Sequence, residues 1–145
     1  MIKLRKATQG DRMLDLDIRA DQYKFGANPK RVLEDAFALH NENRTIVFVI
    51  CNDDLPVGMV EYCDEDELMC YNILYLFIDQ RYQGKGYGFE AMRLIIDMLK
   101  NDKKYSKVTI CLHDRNETAR KLYEKLGFSP NGYVFEDEYD MDMIL

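Results

Sequence analysis

The turn Gln83-Gly84-Lys85-Gly86-Tyr87-Gly88 separates an apolar segment of the chain from an amphipathic one. The preceding run, Ile73 to Ile78, is rich in branched and aromatic residues, which predicts a buried strand. Apolar residues then recur at helical spacing and predict a helix with one inward face: Phe89, Met92, Ile95, Ile96 and Leu99. A strand that delivers glycines to a helix start exposes unpaired N–H groups at the positive end of the helix dipole. Because glycine lets a ligand approach the backbone closely, the turn indicates a pyrophosphate-binding site.

Three kinds of phosphate-binding loop compete for this segment. A dinucleotide-binding fold requires Gly-x-Gly-x-x-Gly, but the glycines at 84, 86 and 88 leave Phe89 in the place of the third glycine. A nucleoside-triphosphatase loop requires Gly-Lys-Ser/Thr after a four-residue gap, and the sequence has no such run. The third pattern, Gln/Arg-x-x-Gly-x-Gly/Ala, is matched at every fixed position by Gln83, Gly86 and Gly88. The position of the turn, late in a short chain and after a long strand, favours this third pattern.

Composition and charge limit the classes of protein to consider. With 145 residues, 47% of them hydrophobic and 32% charged, the chain fits a single domain over residues 1–145. The sequence has no membrane-length apolar stretch and no secretory signal, so we expect a cytoplasmic protein without a membrane partner. A net charge of −6 argues against a nucleic-acid partner and suits a cationic small molecule.

Cysteine and histidine are sparse in this chain. The four cysteines lie in apolar, strand-like runs without a Cys-x-x-Cys pair, which predicts reduced thiols in the core: Cys51, Cys63, Cys70 and Cys111. His40 and His113 are too few and too scattered to indicate a metal site, so we expect no metal cofactor.

Two helices are predicted before the first long strand. Thr8, followed three residues later by Asp11, resembles a capping box that opens a helix through about Ala20. Asn28-Pro29 is typical of an N-cap followed by proline at the first helical position. The second helix would turn inward an apolar face formed by Val32, Leu33, Ala36 and Phe37.

Strand patterns complete the predicted fold. Residues 45–51 and 57–62 flank the turn Asn52-Asp53-Asp54 and should form a hairpin. After the glycine turn and its helix, residues 107–112 form another strand, and Asn116 to Gly127 spans a capped helix before two closing strands. The order is strand, two helices, three strands, helix, strand, helix, two strands. Long antiparallel stretches with few helical crossovers predict an α+β fold with a mixed sheet.

A second motif lies about thirty residues after the glycine turn and reads Asn116-x-x-Ala119-x-x-Leu122-Tyr123-Glu124-Lys125-Leu126-Gly127-Phe128. The two motifs, in this order, resemble the two sequence hallmarks of the GNAT family of N-acetyltransferases. The predicted order of elements resembles the fold of that family over the entire chain. This resemblance implies a central, mostly antiparallel sheet flanked by four helices. It also implies an acyl-CoA-dependent N-acyltransferase with acetyl-CoA as co-substrate.

The resemblance assigns cofactor binding mainly to the backbone. N–H groups from Gln83 to Gly88 would hold the CoA pyrophosphate, and Lys85 would add a positive charge unless it is an ordinary surface lysine. Pantetheine would pair along the strand edge before the turn, where one amide would stabilise the oxyanion that forms at the thioester. The expected cofactor-binding residues are Leu76, Phe77, Ile78, Gln83, Gly84, Lys85, Gly86, Tyr87, Gly88 and Asn116.

The resemblance also implies the chemistry. Tyr123 matches the family tyrosine that donates a proton to the departing CoA thiolate, although its helical spacing alone favours a core residue. Asn116 would both cap its helix and contact CoA. A neutral amine would attack the thioester directly, since no cysteine is placed as a covalent nucleophile. Glu61 is conceivable as the carboxylate that takes the proton of the amine, but an outward-facing charge is the favoured interpretation.

Carboxylates are clustered in loops, near the first helix–helix connection and in the last hairpin, and in this family that connection and that hairpin flank the acceptor cleft. They are Asp15, Asp17, Asp21, residues 64–67, Glu136, Asp137, Glu138, Asp140 and Asp142. Such a cleft would attract a diamine or polyamine, although a solvated acidic surface explains the same pattern. Residues 77–86 and the run Gly127-Phe128…Asn131-Gly132 resemble the bacterial diamine and spermidine acetyltransferases of this family.

Other functions fit the same motifs. One is acetylation of a protein N-terminus, an amino acid or an aminoglycoside, and another is a non-catalytic sensor that binds acyl-CoA without turnover. The family resemblance also implies a homodimer, since the C-terminal strands of its members often pair with those of a second chain.

Overall fold

A seven-stranded sheet forms the centre of the protein, seen in a computed structural model that describes residues 1–18, 29–38 and 44–145. The strands are β1 (Ile2–Lys6), β2 (Ile46–Asn52), β3 (Leu55–Glu65), β4 (Cys70–Ile78), β5 (Lys107–His113), β6 (Ser129–Phe135) and β7 (Glu138–Ile144). The α-helices of the described residues are α1 (Pro29–Ala36), α2 (Tyr87–Asp102) and α3 (Glu117–Leu126). Short 3₁₀ turns lie at Gln9–Met13, Asp66–Leu68 and Gln80–Tyr82. None of the helices in these ranges is long and apolar enough to cross a membrane.

The strand order is β1-β2-β3-β4-β5-β7-β6, and every neighbouring pair is antiparallel except β4 and β5. This order confirms the predicted α+β class with a mixed, mostly antiparallel sheet. The parallel pairing is short and joins Tyr71–Ile73 to Val108–Ile110. Beyond Ile73, β4 continues to Ile78 and stays paired with β3, but it has no pairing with β5. The sheet therefore opens between β4 and β5.

Apolar side chains pack on both faces of the sheet, because successive strand residues point to opposite sides. The larger cluster includes the inward faces of α2 and α3, and the smaller one includes α1 and lies on the other face. In β4, Leu76 and Ile78 pack against the larger cluster, whereas Phe77 belongs to the smaller one. Adjacent residues at the opening therefore reach both faces of the sheet.

Helix α3 begins and ends as predicted. The Asn116 side chain accepts a hydrogen bond from the N–H of Ala119 at 3.3 Å, and Gly127 forms a left-handed C-cap with φ of 105°. Helix α1 confirms the second predicted helix, while its expected N-cap, Asn28, lies outside the described residues. The predicted inward face of α2 is buried at Met92, Ile95, Ile96 and Leu99.

The first predicted helix, from Thr8 to about Ala20, is wrong over the part of that range that the structure describes. The carboxylate of Asp11 accepts the N–H of Thr8 at 2.6 Å, as the capping pattern predicted. The turn that follows is a 3₁₀ turn and ends at Met13. The described residues therefore contain three α-helices, whereas four were expected.

Carboxylates explain why no α-helix continues through residues 14–18. Oδ1 of Asp17 accepts the N–H of Ile18 at 2.9 Å, and Oδ2 of Asp79 accepts the N–H of Asp17 at 2.9 Å. These two N–H groups would otherwise donate to carbonyls four residues earlier. Side-chain acceptors thus compete with the helical hydrogen bonds and hold the segment extended.

The prediction of four core thiols holds for three of them, since Cys51, Cys63 and Cys70 are buried and free. It is wrong for Cys111, which is a free, exposed thiol. Alternate residues of β5 are buried, so the alternation places Cys111 on the outer face of that strand. Its Sγ lies 3.4 Å from Oε2 of Glu138 on the neighbouring β7.

Candidate active site

A cavity of about 540 Å³ lies where β4 separates from β5. Leu76 and Ile78 line it from the larger apolar cluster, and Phe77 and Ile18 line it from the smaller one. The cavity thus lies at the gap in the sheet and has a wall from each face. Every predicted site residue lines this cavity except Lys85.

Gly84 and Gly86 give the turn a backbone conformation that suits glycine. Their φ angles are 77° and 81°, in the left-handed region. A Cβ added at either residue would meet no atom within 4 Å, so both residues face open space. The backbone of the turn is therefore open to a ligand on the side where a side chain would otherwise project.

The N-terminus of α2 adds backbone donors beside these glycines. The N–H of Glu90 donates to the carbonyl of Gly86 at 3.1 Å, which is the first hydrogen bond of the helix. The N–H groups of Tyr87, Gly88 and Phe89 come before it and have no partner within the helix. All three residues line the cavity. Unpaired N–H groups and the positive end of the helix dipole together favour an anion here, so the turn fits the diphosphate of CoA.

The unpaired edge of β4 supplies the next part of the site. Leu76, Phe77 and Ile78 pair with β3 on one side and face the gap on the other. A strand edge without a neighbour presents backbone N–H and C=O groups to a ligand. Pantetheine contains two amides, so an extended pantetheine arm fits this edge as an added strand would.

Two side chains connect the turn to the sheet. Nε2 of Gln83 donates to the carbonyl of Ile78 at 2.8 Å. Nδ2 of Asn52, at the end of β2, donates to the hydroxyl of Tyr87 at 3.1 Å. Sequence reasoning assigned Gln83 only a backbone role and missed Asn52, since a contact across 35 positions leaves no local pattern.

An ion pair between a buried carboxylate, Asp79, and an exposed guanidinium, Arg81, lies between β4 and the turn. Asp79 is 1% exposed, and Nε and Nη2 of Arg81 donate to its carboxylate at 2.8 and 3.0 Å. Burial opposes ionisation of Asp79, but hydrogen bonds from Arg81 and from the backbone outweigh it and lower its pKa. Sequence reasoning missed this pair, because the run from Ile78 to Arg81 served there only as part of the family resemblance.

Tyr123, the residue expected to act as proton donor, is buried and also lines the cavity. The residue is 4% exposed, yet it lines the same cavity as residues 76–78 of β4. Its ring packs edge-on against Phe128, with 5.7 Å between the ring centroids. Burial raises the pKa of Tyr123, so the hydroxyl keeps its proton at neutral pH. Tyr123 therefore belongs to the core, as its helical spacing favoured, and it also reaches the cavity.

The cation at the cavity comes from α3. Nζ of Lys125 lies 4.6 Å from the ring centroid of Phe89, and both residues line the cavity. Lys85 is exposed and does not line it. Lys125 lies in the second motif, next to Glu124, but nothing in the sequence assigned its charge to the cofactor site. Asn116 lines the cavity as well as capping α3, which is compatible with both predicted roles.

Glu61 is buried, so the outward orientation favoured from the sequence is wrong. The residue is 1% exposed and pairs with Tyr75 across β3 and β4. Burial and the nearby charge of Asp35 raise the pKa of Glu61 to about 7, while a hydrogen bond from Thr45 acts in the opposite direction. Its Oε2 has no hydrogen-bond partner within residues 1–18, 29–38 and 44–145.

The acidic residues expected around the acceptor do not line the cavity in the part of the chain that is described. Asp64 pairs with Lys104 at 2.6 Å, and Asp142 lies 3.8 Å from Lys107. Asp21 lies outside the described residues. Asp64 and Asp142 therefore take part in ion pairs with neighbouring lysines.

His113 interacts with a carboxylate, since its Nε2 lies 2.9 Å from Oδ2 of Asp137. His40 lies outside the described residues. Within the described ranges, no group of three or more His, Cys, Asp or Glu side chains is arranged to hold a metal ion.

The fold and the cavity define a class of protein. A mixed sheet opens beside a glycine turn and a helix N-terminus, and a buried tyrosine lines the same cavity. These are the features of an acyl-CoA-dependent acyltransferase. The chain belongs to the acetyltransferase (GNAT) family, whose model matches residues 11–128. It is an N-acetyltransferase with acetyl-CoA as co-substrate.

Relatives within the family include polyamine enzymes. The chain is 29% identical over 139 residues to the spermine/spermidine N(1)-acetyltransferase of Bacillus subtilis, which covers 90% of both chains. Among solved structures, it resembles spermidine N-acetyltransferase from Vibrio cholerae in complex with CoA and spermine, with a TM-score of 0.80, 20% identity and coverage of 99% and 95%. It resembles an aminoglycoside acetyltransferase in complex with CoA equally well, with a TM-score of 0.81, 20% identity and the same coverage. Both structural likenesses concern the fold.

Proposed function

We propose that this enzyme transfers the acetyl group of acetyl-CoA to a primary amine, with diamines and polyamines as the favoured acceptors. The observation that carries this proposal is the cavity at the gap between β4 and β5, which joins a phosphate-binding turn to an apolar wall at Ile18 and Phe77. A net charge of −6 favours a cationic acceptor. The similarity to the Bacillus subtilis spermine/spermidine enzyme over 90% of both chains supports the choice of polyamines.

Acetyl-CoA binds through the backbone. The N–H groups from Gln83 to Gly88 hold the diphosphate, and pantetheine pairs with the edge of β4 at residues 76–78. Asn116 contacts the cofactor from the start of α3, and Lys125 adds positive charge near the turn. One amide of the β4 edge donates to the thioester oxygen, where charge develops during attack. A single donor of this kind is worth about 3 kcal/mol of transition-state stabilisation.

Acetyl transfer then occurs by direct attack. The primary ammonium of the acceptor, with a pKa of about 10.4, must first lose a proton. The neutral nitrogen forms a bond to the carbonyl carbon, the carbon–sulfur bond breaks, and the sulfur leaves as a thiolate. The hydroxyl of Tyr123 donates its proton to that sulfur, and the second proton, which the nitrogen loses as the amide forms, passes through water and restores the phenol. Burial raises the pKa of Tyr123, so the phenol still carries the proton that it donates at neutral pH.

A thiol-release assay with a panel of amines tests this function. The panel contains 1,4-diaminobutane, spermidine, an amino acid, a peptide N-terminus and an aminoglycoside. We expect turnover with the first two and a KM that rises with salt, because salt screens the attraction between the acidic protein and its cationic substrate. Turnover confined to the other acceptors would refute the polyamine assignment. Stabilisation by CoA without thiol release from any amine would identify an acyl-CoA sensor.

We also propose that the enzyme is cytoplasmic, that residues 1–145 form one domain and that two chains pair as a homodimer. Edge strand β6 supports the pairing, since Tyr133, Val134 and Phe135 are 60%, 67% and 61% exposed. An exposed apolar edge strand is a ready surface for a second chain. Light scattering should give a dimer for the wild type and a monomer for Val134→Glu. A wild-type monomer would refute the dimer.

A further inference from the structure

Glu61 carries an oxygen atom that lacks a partner in a buried position. The residue is 1% exposed, and Oε2 has no hydrogen-bond partner among the residues that the structure describes. A buried carboxylate without a donor is costly. Such a group in a native structure therefore calls for an explanation, and a bound ion is one of the few available. The group that completes Glu61 must donate a hydrogen bond, and a cation does so best.

The neighbours of Glu61 suit an organic ammonium ion. Tyr75 lies directly opposite on β4, and paired residues of this kind have Cβ atoms about 5 Å apart on the same face. An aromatic ring beside a carboxylate favours an ammonium group. Asp35 adds a second negative charge, close enough to raise the pKa of Glu61. Two carboxylates and a ring are too few oxygen ligands for a divalent metal.

The position of Glu61 relates it to the cavity. Met59 pairs with Phe77, which lines the cavity, and Glu61 lies two residues further along β3 on the same face. Two residues of a strand span roughly 6.6 Å, a length that three or four methylene groups cover. Tyr75, directly opposite Glu61, lies two residues before Phe77 on β4 and is partly exposed. Neither Tyr75 nor Glu61 lines the cavity, but the spacing along the strands matches the length of an aliphatic chain between one amine beside Phe77 and a second amine at Glu61.

We propose that Glu61 and Tyr75 form a subsite for the second ammonium group of the acceptor, while the amine to be acetylated lies beside Phe77. This inference rests on the proposed amine acetylation and deepens it, because it names the residues that distinguish a diamine from a monoamine. The carboxylate binds the distal nitrogen and takes no part in the reaction at the other end. Its loss should therefore weaken binding of diamines without slowing acetyl transfer once the amine is bound.

The test compares Glu61→Gln with the wild type on two amines of equal chain length, 1,4-diaminobutane and butylamine. A hydrogen bond to a charged group is worth about 2 kcal/mol, which corresponds to a rise of about thirtyfold in KM for the diamine. We expect KM for butylamine and kcat for both amines to change by less than about twofold. Glu65→Gln is the matched control, since Glu65 lies on the same face of β3, four residues further on and partly exposed. It should leave both KM values unchanged.

Calorimetry distinguishes a failure of the subsite from a failure of the proposed function. Titration of acetyl-CoA into Glu61→Gln checks that the variant folds and keeps its donor site. Titration of 1,4-diaminobutane into the wild type and the variant measures the subsite without turnover. Wild-type protein that binds the diamine but acetylates no amine would refute the proposed function and leave the subsite standing. Equal affinity of the wild type and Glu61→Gln for the diamine would refute the subsite. An equal fall of kcat with both amines would also refute it, because Glu61 would then act on the reacting nitrogen.

Discussion

The carboxylate of Asp79 accepts the backbone N–H of Asp17 at 2.9 Å, across 62 positions of sequence. In return, the N–H of Gln80 donates to the carbonyl of Asp17, also at 2.9 Å. These two hydrogen bonds hold residues 17 and 18 against the chain just before the glycine turn. Ile18 forms a wall of the cavity. One side chain therefore positions both the turn that we propose binds CoA and the wall that faces the acceptor.

Asp79→Asn should weaken binding of both substrates. The amide keeps the shape of the side chain but cannot form the charged hydrogen bonds that Arg81 makes with the carboxylate. We expect a loss of about 2 kcal/mol in the free energy of unfolding, measured in urea. We also expect KM to rise for acetyl-CoA and for the amine together. Asp97→Asn, at an exposed residue of α2, is the control and should resemble the wild type. A rise in only one of the two KM values would show that Asp79 does not position both walls.

Gly86→Ala tests the turn itself. Gly86 has φ of 81°, and a left-handed conformation costs a residue with a side chain about 1 kcal/mol. Because the added methyl group would project into open space, it would not clash with the protein. It would instead obstruct the approach of a phosphate to the backbone. We therefore expect the Kd for CoA, measured by calorimetry, to rise by about tenfold or more, with a small loss of stability.

Gly10→Ala provides the matched control for the glycine variant. A Cβ at Gly10 would lie 3.7 Å from Oγ1 of Thr8, an ordinary contact, and its φ is not in the left-handed region. This variant should bind CoA as the wild type does. If Gly86→Ala binds CoA equally well, the diphosphate does not approach the turn at that residue.

The parts of the site that the sequence predicted are those whose residues act locally. Gly86 requires a left-handed backbone within its own turn, and Asn116 caps its own helix three residues away. Such tasks fix a residue type at a fixed spacing, so a motif records them. The contact of Asp79 with Asp17 joins segments 62 positions apart and leaves no spacing to detect. Its discovery required the fold.

The orientation of Glu61 shows a second limit of sequence patterns. A strand that is half buried alternates between apolar and polar residues, and the alternation tells which face turns inward. Residues 57–63 of β3 are buried on both faces, because helices cover the sheet from either side. Periodicity therefore carries no information about Glu61, and the residue type alone, a charged glutamate, favours an outward position. The prediction of the first helix failed for a related reason. The N–H groups of Asp17 and Ile18 donate to side-chain carboxylates and not to the backbone carbonyls that a helix would use.

Tyr123→Phe should slow the chemical step without affecting cofactor binding. The variant keeps the ring that packs against Phe128 and removes only the hydroxyl that donates the proton. General acid catalysis is typically worth 10²–10⁴ in rate, so kcat should fall by at least about a hundredfold. The Kd for acetyl-CoA, measured by calorimetry, should stay within about twofold. Tyr133→Phe, at a 60% exposed residue of β6, is the control. Unchanged turnover in Tyr123→Phe would remove this residue from the mechanism.

Glu61→Gln should change how stability depends on pH. Burial and the charge of Asp35 raise the pKa of Glu61 from 4.5 to about 7, so the folded protein holds this proton more tightly than the unfolded chain does. The contribution of Glu61 to stability is therefore full below pH 4.5 and falls as pH rises to about 7. At 1.36 kcal/mol per pKa unit, this fall amounts to about 3 kcal/mol at most. Glutamine cannot ionise, so the free energy of unfolding of the variant should rise relative to that of the wild type by up to this amount between pH 4.5 and 7. Above pH 7 the difference between the two free energies should stay constant. Urea unfolding at a series of pH values measures this difference in free energy, with Glu65→Gln as control. A difference that stays constant from pH 4.5 to 8 would contradict the raised pKa of Glu61.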